Sequence, residues 1–168
     1  MDAELLELSA TVGRVCLERQ LTIATAESCT GGWVSQVITH TAGCSAWFER
    51  GFVTYANAAK SAMLGVLKDT IDKFGAVSVE TAGEMASGAL RNSNALISLA
   101  ITGIAGPTGG APDKPVGTVC FGWCVRVADI IQVPSCERRL FVGDRESIRR
   151  AAVIYALSGL ISRARNMP

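Results

Sequence analysis

The chain contains one histidine, His40, and its six cysteines form no CxxC pair. With so few metal-binding side chains, a structural zinc site is not expected, and neither is a disulfide framework. The cysteines read instead as small buried thiols of a reduced cytoplasm. Charge is also scarce: 18% of residues are charged, the net charge is +1, and no long run carries one sign. That balance lacks the electrostatic footprint of a protein that coats DNA or RNA, so no nucleic-acid partner is expected. No apolar run reaches the ~18 residues that cross a bilayer. The best candidate, Ala95 to Ala105, is interrupted by Gly103 and stopped by Pro107. The acidic opening Met1-Asp2-Ala3-Glu4 is the reverse of a secretory leader.

What the chain has in excess is apolar surface to hide: 49% of its 168 residues are hydrophobic. The length fits one domain over residues 1–168. Such a composition needs a sheet covered on both faces or a subunit interface. The aromatic pair Trp47-Phe48 adds to the second alternative, and a homodimer or higher homo-oligomer is expected.

Helical and strand-like periodicities alternate along the chain. Leu5, Leu6, Leu8, Val12, Val15 and Cys16 form a helical stripe over about residues 2–19. Thr22 to Ala26 is β-prone, Trp33 to Thr39 reads as helix, and Phe48 to Tyr55 reads as strand. Asn57 is placed as the N-cap of a helix over Ala58 to Leu64, and Ser78 as the cap of Val79 to Leu90. Ala95 to Thr102 is a continuous apolar strand. Val116 to Val127 and Ile130 to Phe141 form a hairpin turned near Ala128-Asp129, and a last helix starts at Gly143-Asp144. The pattern predicts an α/β fold: a three-layer sandwich whose mixed parallel and antiparallel sheet is flanked by helices.

The single histidine makes elimination effective. His40 lies eleven residues beyond Cys29, at the far end of the helix that the Ser28 turn opens. At ~1.5 Å per residue that is roughly 15 Å, far outside hydrogen-bond reach. Ser28 sits where a nucleophile belongs, after a strand and ahead of Gly31-Gly32 at a helix N-terminus, where free N–H groups can hold an anion. The same spacing equally suits Ser28 or Thr30 as a plain helix cap. Without histidine, a serine nucleophile needs another base, and a deprotonated lysine can serve. Of Lys60, Lys68, Lys73 and Lys114, Lys60 stands out. It is placed at the third position of its helix, where the dipole disfavours an ammonium, beneath Phe52 and Tyr55. Tyr55 can orient that amine or relay its proton. The segment Thr102-Gly-Ile-Ala-Gly-Pro-Thr-Gly-Gly110 fits neither a Walker A loop nor a dinucleotide fingerprint. It is a loop at a strand's end, a common place for ligand contacts and equally for a simple turn. Arg145 and Arg149, one turn apart, can clamp an anion or stand in solvent.

Five blocks stand in register: Ala26-Glu-Ser-Cys-Thr-Gly-Gly32, Thr54-Tyr-Ala-Asn-Ala-Ala-Lys60, Gly75-Ala-Val-Ser78, Thr102-Gly-Ile-Ala-Gly-Pro107 with Lys114-Pro-Val-Gly-Thr118, and Gly143-Asp-Arg145. In that order they resemble the CinA C-terminal domain family, in its stand-alone nicotinamide-nucleotide amidase form, over about residues 5–160. The resemblance implies hydrolysis of the carboxamide of nicotinamide mononucleotide (NMN) to nicotinate mononucleotide and ammonia, in pyridine nucleotide (NAD) recycling. A catalytically weak paralogue acting as a nucleotide-binding module is the alternative. Carried over, the nucleophile falls on Ser28, the lysine base on Lys60, the tyrosine on Tyr55, the loop threonine on Thr102 and the late arginine on Arg145. Thr30, Gly31, Gly32, Asn57, Gly103 and Gly106 complete the expected substrate-binding set. N–H groups near Thr30 to Gly32, or in the Gly103 to Gly106 loop, are expected to hold the oxyanion. No metal and no organic cofactor are implied. Ala58 departs from the family pattern, which commonly has an acidic residue there.

Overall fold

In the computed structural model, which describes residues 2–168, Asp2 caps the first helix by accepting a hydrogen bond from the Leu5 amide. That helix, α1, runs Ala3–Glu18 and buries Leu5, Val12, Val15 and Cys16, the apolar stripe read from the sequence. Strand β1 (Ile23–Glu27) is followed by a turn, α2 (Trp33–Thr39), a short 3-10 turn at Cys44–Ala46, and β2 (Phe48–Val53). Helices α3 (Asn57–Leu64), α4 (Lys68–Phe74) and α5 (Val79–Arg91) then lead to β3 (Ile97–Gly103). Strands β4 (Thr118–Val127), β5 (Ile130–Ile131) and β6 (Ser135–Leu140) precede the long α6 (Arg145–Arg165).

The strands build one mixed sheet in the order β2-β1-β3-β4-β5, with β6 also pairing β4. The β2-β1-β3 part is parallel and the β3-β4-β6 part antiparallel. The β4 hairpin turns at Ala128 and Asp129, both at positive φ, the twist that a tight hairpin demands. Its return arm is two strands, not one. Pro134 lacks an N–H for the ladder, and pairing resumes one residue later at Ser135. Helix α4 escapes the periodicity reading because a short charged segment carries almost no apolar stripe.

Helices cover both faces, so the excess apolar content divides into two cores. One joins α1, α2 and α6 to the sheet through Ile23, Ile97, Leu99, Phe121 and Trp123. The other joins α3 and α5 through Leu64, Met85, Leu90 and Ala100. Trp47, read above as a possible interface residue, is only 2% exposed and belongs to the first core. Its ring lies so close to Gly13 that a Cβ there would sit 2.9 Å from it.

The connection from β1 to β2 passes over one face and that from β2 to β3 over the other, so the chain reverses its winding at β1. Right-handed crossovers require the helices to change faces there. This opens a crevice at the carboxyl ends of the parallel strands.

The seating of α3 on α5 depends on close packing. Gly88 of α5 touches the carbonyl of Leu64, and a Cβ at position 88 would lie 2.1 Å from that oxygen. Although alanine is the better helix former by about 1 kcal/mol, Gly88→Ala is expected to destabilise the fold by about 2–3 kcal/mol. A Tm lowered by roughly 5–10 °C in calorimetry is the expected reading; an unchanged Tm rejects it.

Candidate active site

Ser28 is the first residue beyond β1. Its amide donates to Ile101 O of β3 at 3.0 Å, while the Thr54 amide donates to Glu27 O at 2.8 Å. The end of β1 is thus tied on both sides. Gly31 and Gly32 then reverse the chain at φ +60° and +97°, a region where only glycine is unstrained. Gly32 is the N-cap of α2 and has no side chain to cap with. Glu27, fully buried, supplies the cap instead. One carboxylate oxygen accepts from the Gly32 and Val34 amides, both at 3.0 Å. The other accepts from the Ser35 amide at 2.9 Å and the Ser35 hydroxyl at 2.8 Å. Sequence reasoning passed over Glu27. The signal was an acid ending an apolar strand just ahead of a glycine-opened helix.

Lys60 reaches the same place from the first turns of α3. Its side chain is 1% exposed, and Nζ lies 3.0 Å from Ser28 Oγ, 3.0 Å from Thr54 O and 3.3 Å from Tyr55 O. No salt-bridge partner meets it among the described residues. Burial of the ammonium, stripped of water, holds its pKa below the usual lysine value. A neutral amine has two N–H donors and one lone pair. With the two backbone carbonyls taking those donors, a neutral Lys60 would keep its lone pair for the serine hydroxyl, whereas an ammonium would donate to all three oxygens.

Three readings from the sequence are corrected in detail. Ala56, not Asn57, is the N-cap of α3. The Ala59 and Lys60 amides both reach Ala56 O, so the helix begins one residue early and Lys60 is its fourth residue. Tyr55 meets Lys60 Nζ through its backbone carbonyl, while its phenol accepts from Arg145 Nη2 at 3.0 Å. The Gly31 and Gly32 N–H groups are not free for an anion, because Ser28 O and Glu27 accept from them. The thiol of Cys29, beside Ser28, is pushed up to about 12 by burial and stays protonated. His40 caps the far end of α2 and is exposed.

Ser28, Lys60, Tyr55, Asn57, Thr102, Gly103 and Arg145 line one cavity of about 190 Å³. Gly31 and Gly32 belong to a neighbouring cavity of about 460 Å³, whose wall also includes Arg145, Trp33 and Arg149. Thr30 lines neither and is buried beneath the turn. Thr102 Oγ donates to Ala76 O at 2.7 Å, fixing the loop before α5 against β3. Gly106 contributes its carbonyl, which accepts from Arg145 Nη1 at 2.8 Å. Among the described residues no three His, Cys, Asp or Glu side chains converge as a metal site would require, and no helix is long and apolar enough to cross a membrane.

Residues 5–164 match the family described as CinA C-terminal domain. The chain is 51% identical over 159 residues to the nicotinamide-nucleotide amidohydrolase PncC of Escherichia coli K12, covering 95% of this chain and 94% of that one. It is 50% identical over 139 residues to the protein of the same name from Pseudomonas putida, covering 83% and 84%. Among solved structures, the competence/damage inducible protein CihA from Agrobacterium tumefaciens superposes with a TM-score of 0.89 at 43% identity, covering 96% of both chains.

Proposed function

Because the chain belongs to the CinA C-terminal domain family, we propose that it is an amidohydrolase that converts NMN and water to nicotinate mononucleotide and ammonia. The observation that carries this reading is the buried Lys60 amine 3.0 Å from the Ser28 hydroxyl, with no carboxylate among the described residues paired to it. The amidohydrolase name of relatives at about half identity supports the substrate.

The chemistry is acyl transfer. Neutral Lys60 takes the Ser28 proton while Ser28 Oγ bonds to the carboxamide carbon, and the carbonyl π pair moves onto oxygen. The oxyanion then re-forms its carbonyl as the C–N bond breaks, and Lys60 gives its proton to the departing nitrogen, releasing ammonia. Water adds to the acyl-enzyme through the same base, and Ser28 leaves with its proton restored. In this reading Arg145, held by Gly106 O and the Tyr55 phenol at the shared wall of the two cavities, binds the phosphate. No step draws on a metal or organic cofactor. The product belongs to pyridine nucleotide recycling, and six free cysteines support a reducing cytoplasm as its setting.

Ammonia release from NMN, nicotinamide riboside and nicotinamide tests the reading. Turnover of NMN, with a large loss on removing the phosphate, is expected. NMN that raises the Tm but is never consumed rejects catalysis in favour of a binding module.

The pH dependence follows from Lys60. Its pKa is lowered in the fold, so the base is lost as pH falls through that value, and kcat/KM declines on the acid side with unit slope. Between the folded value and the ordinary 10.5, the unfolded chain holds the extra proton. Lys60 therefore makes stability rise with pH across that window. A flat activity profile from about pH 5 to 9 contradicts a lysine base.

A further inference from the structure

We infer that the Cys29 amide is a donor of the oxyanion hole, and that Arg149 is the positioning residue that locks the turn carrying it. The inference rests on the amidase reading above.

The residues Ser28 to Gly31 form a β-turn closed by the Gly31 amide donating to Ser28 O at 3.0 Å. In such a turn the N–H groups of the two central residues, here Cys29 and Thr30, have no partner inside it. Apart from the approach of the Cys29 amide to its own thiol, no acceptor among the described residues meets either one. Both residues are nevertheless buried, Cys29 at 6% exposure and Thr30 at 0%. The Thr30 hydroxyl is buried without a partner as well. Buried amide donors without acceptors are rare in folded chains. Of the two, the Cys29 amide belongs to a residue that lines the cavity and directly follows the attacking serine, where a developing negative charge needs a donor.

Arg149 locks the turn from α6. Its Nε donates to Cys29 O at 3.1 Å and its Nη2 to Thr30 O at 2.8 Å. The guanidinium also lies over the Trp33 ring, 5.2 Å from its centroid. In a trans peptide the C=O and the following N–H point opposite ways. Holding Cys29 O against Arg149 therefore turns the Thr30 N–H away from α6. Holding Thr30 O likewise turns the Gly31 N–H back onto Ser28 O. Arg149 does not line the cavity that holds Ser28 and Lys60, whereas Cys29 does. It acts through the backbone, not on the reacting atoms.

Steady-state ammonia release by Arg149→Met and Arg149→Lys tests this, with NMN and nicotinamide riboside as substrates. For Arg149→Met, kcat should fall about 100-fold on both substrates with KM within about threefold. The lysine variant, keeping one donor, should recover about tenfold of that loss. The aldehyde analogue of NMN, whose adduct with Ser28 carries the oxyanion, should weaken by the same factor as kcat/KM. Circular dichroism and an NMN-induced rise in Tm show that the variants are folded. A kcat within threefold of the native enzyme overturns the inference. So does a loss confined to KM and to the phosphorylated substrate, which makes Arg149 a phosphate ligand instead. If native protein releases no ammonia from NMN, the amidase reading falls first, and separately.

Discussion

Ser28→Ala is expected to lower kcat for NMN hydrolysis by about 10⁴-fold or more, and Lys60→Met by a similar factor. Neither removal reaches far into the fold. The Ser28 hydroxyl contacts only Lys60 Nζ among the described side chains, and methionine can fill the lysine channel without bringing a charge. The double variant should be no worse than either single one, within about threefold, because one base without its nucleophile, or the reverse, has nothing to act on. Single-turnover ammonia assays on the three variants decide the matter. Losses that multiply in the double variant mean that the two side chains act independently, and retention of a tenth of native turnover by either single variant removes the dyad.

The largest effect on stability is expected at Glu27. Its carboxylate accepts three backbone amides and one hydroxyl inside the fold. No lysine or arginine pairs with it among the described residues. The positive end of α2 and those four donors hold its charge in place of a counter-ion. Glu27→Ala leaves the donors buried and unmet, and each such group costs about 1–3 kcal/mol, partly recovered by relaxation. A net loss of about 3–5 kcal/mol is expected, with Tm falling by roughly 10 °C or more. Ser28 directly follows Glu27, so kcat should fall with it even at temperatures where the variant is folded. Glu27→Gln keeps one acceptor and should land between the two. Differential scanning calorimetry reads the change, and a loss under about 1 kcal/mol means that water or the Ser35 side chain satisfies the helix end instead.

The sheet and most of its helices were legible because each rests on a local pattern. The α1 stripe, the Ser78 cap, the doubly covered β3 and the hairpin turn at Ala128-Asp129 all occupy windows of a few to some twenty residues. Elimination also pointed, at long range, to two side chains that the fold brings within 3.0 Å, for a plain reason. A chain with one histidine and four lysines has few ways to activate a serine, and only one of those lysines opens a helix after a strand. The misses share a cause. Asn57 has a good capping side chain, yet the helix start follows the Ala56 carbonyl, which accepts from the Ala59 and Lys60 amides. Trp47 looks like interface material until Gly13 opens a slot for its ring.

The order of residues thus settles which side chains exist for chemistry and which short segments coil or extend, since those depend on neighbours a turn or a pleat away. It is the packing of β1, α3 and α6 against one another that strips water from the amine at position 60 and brings the acid at position 27 onto a helix end. The same packing turns the guanidinium at position 149 onto a loop about 120 residues earlier in the chain. Those roles arise from distances in space, and a linear pattern carries no term for them.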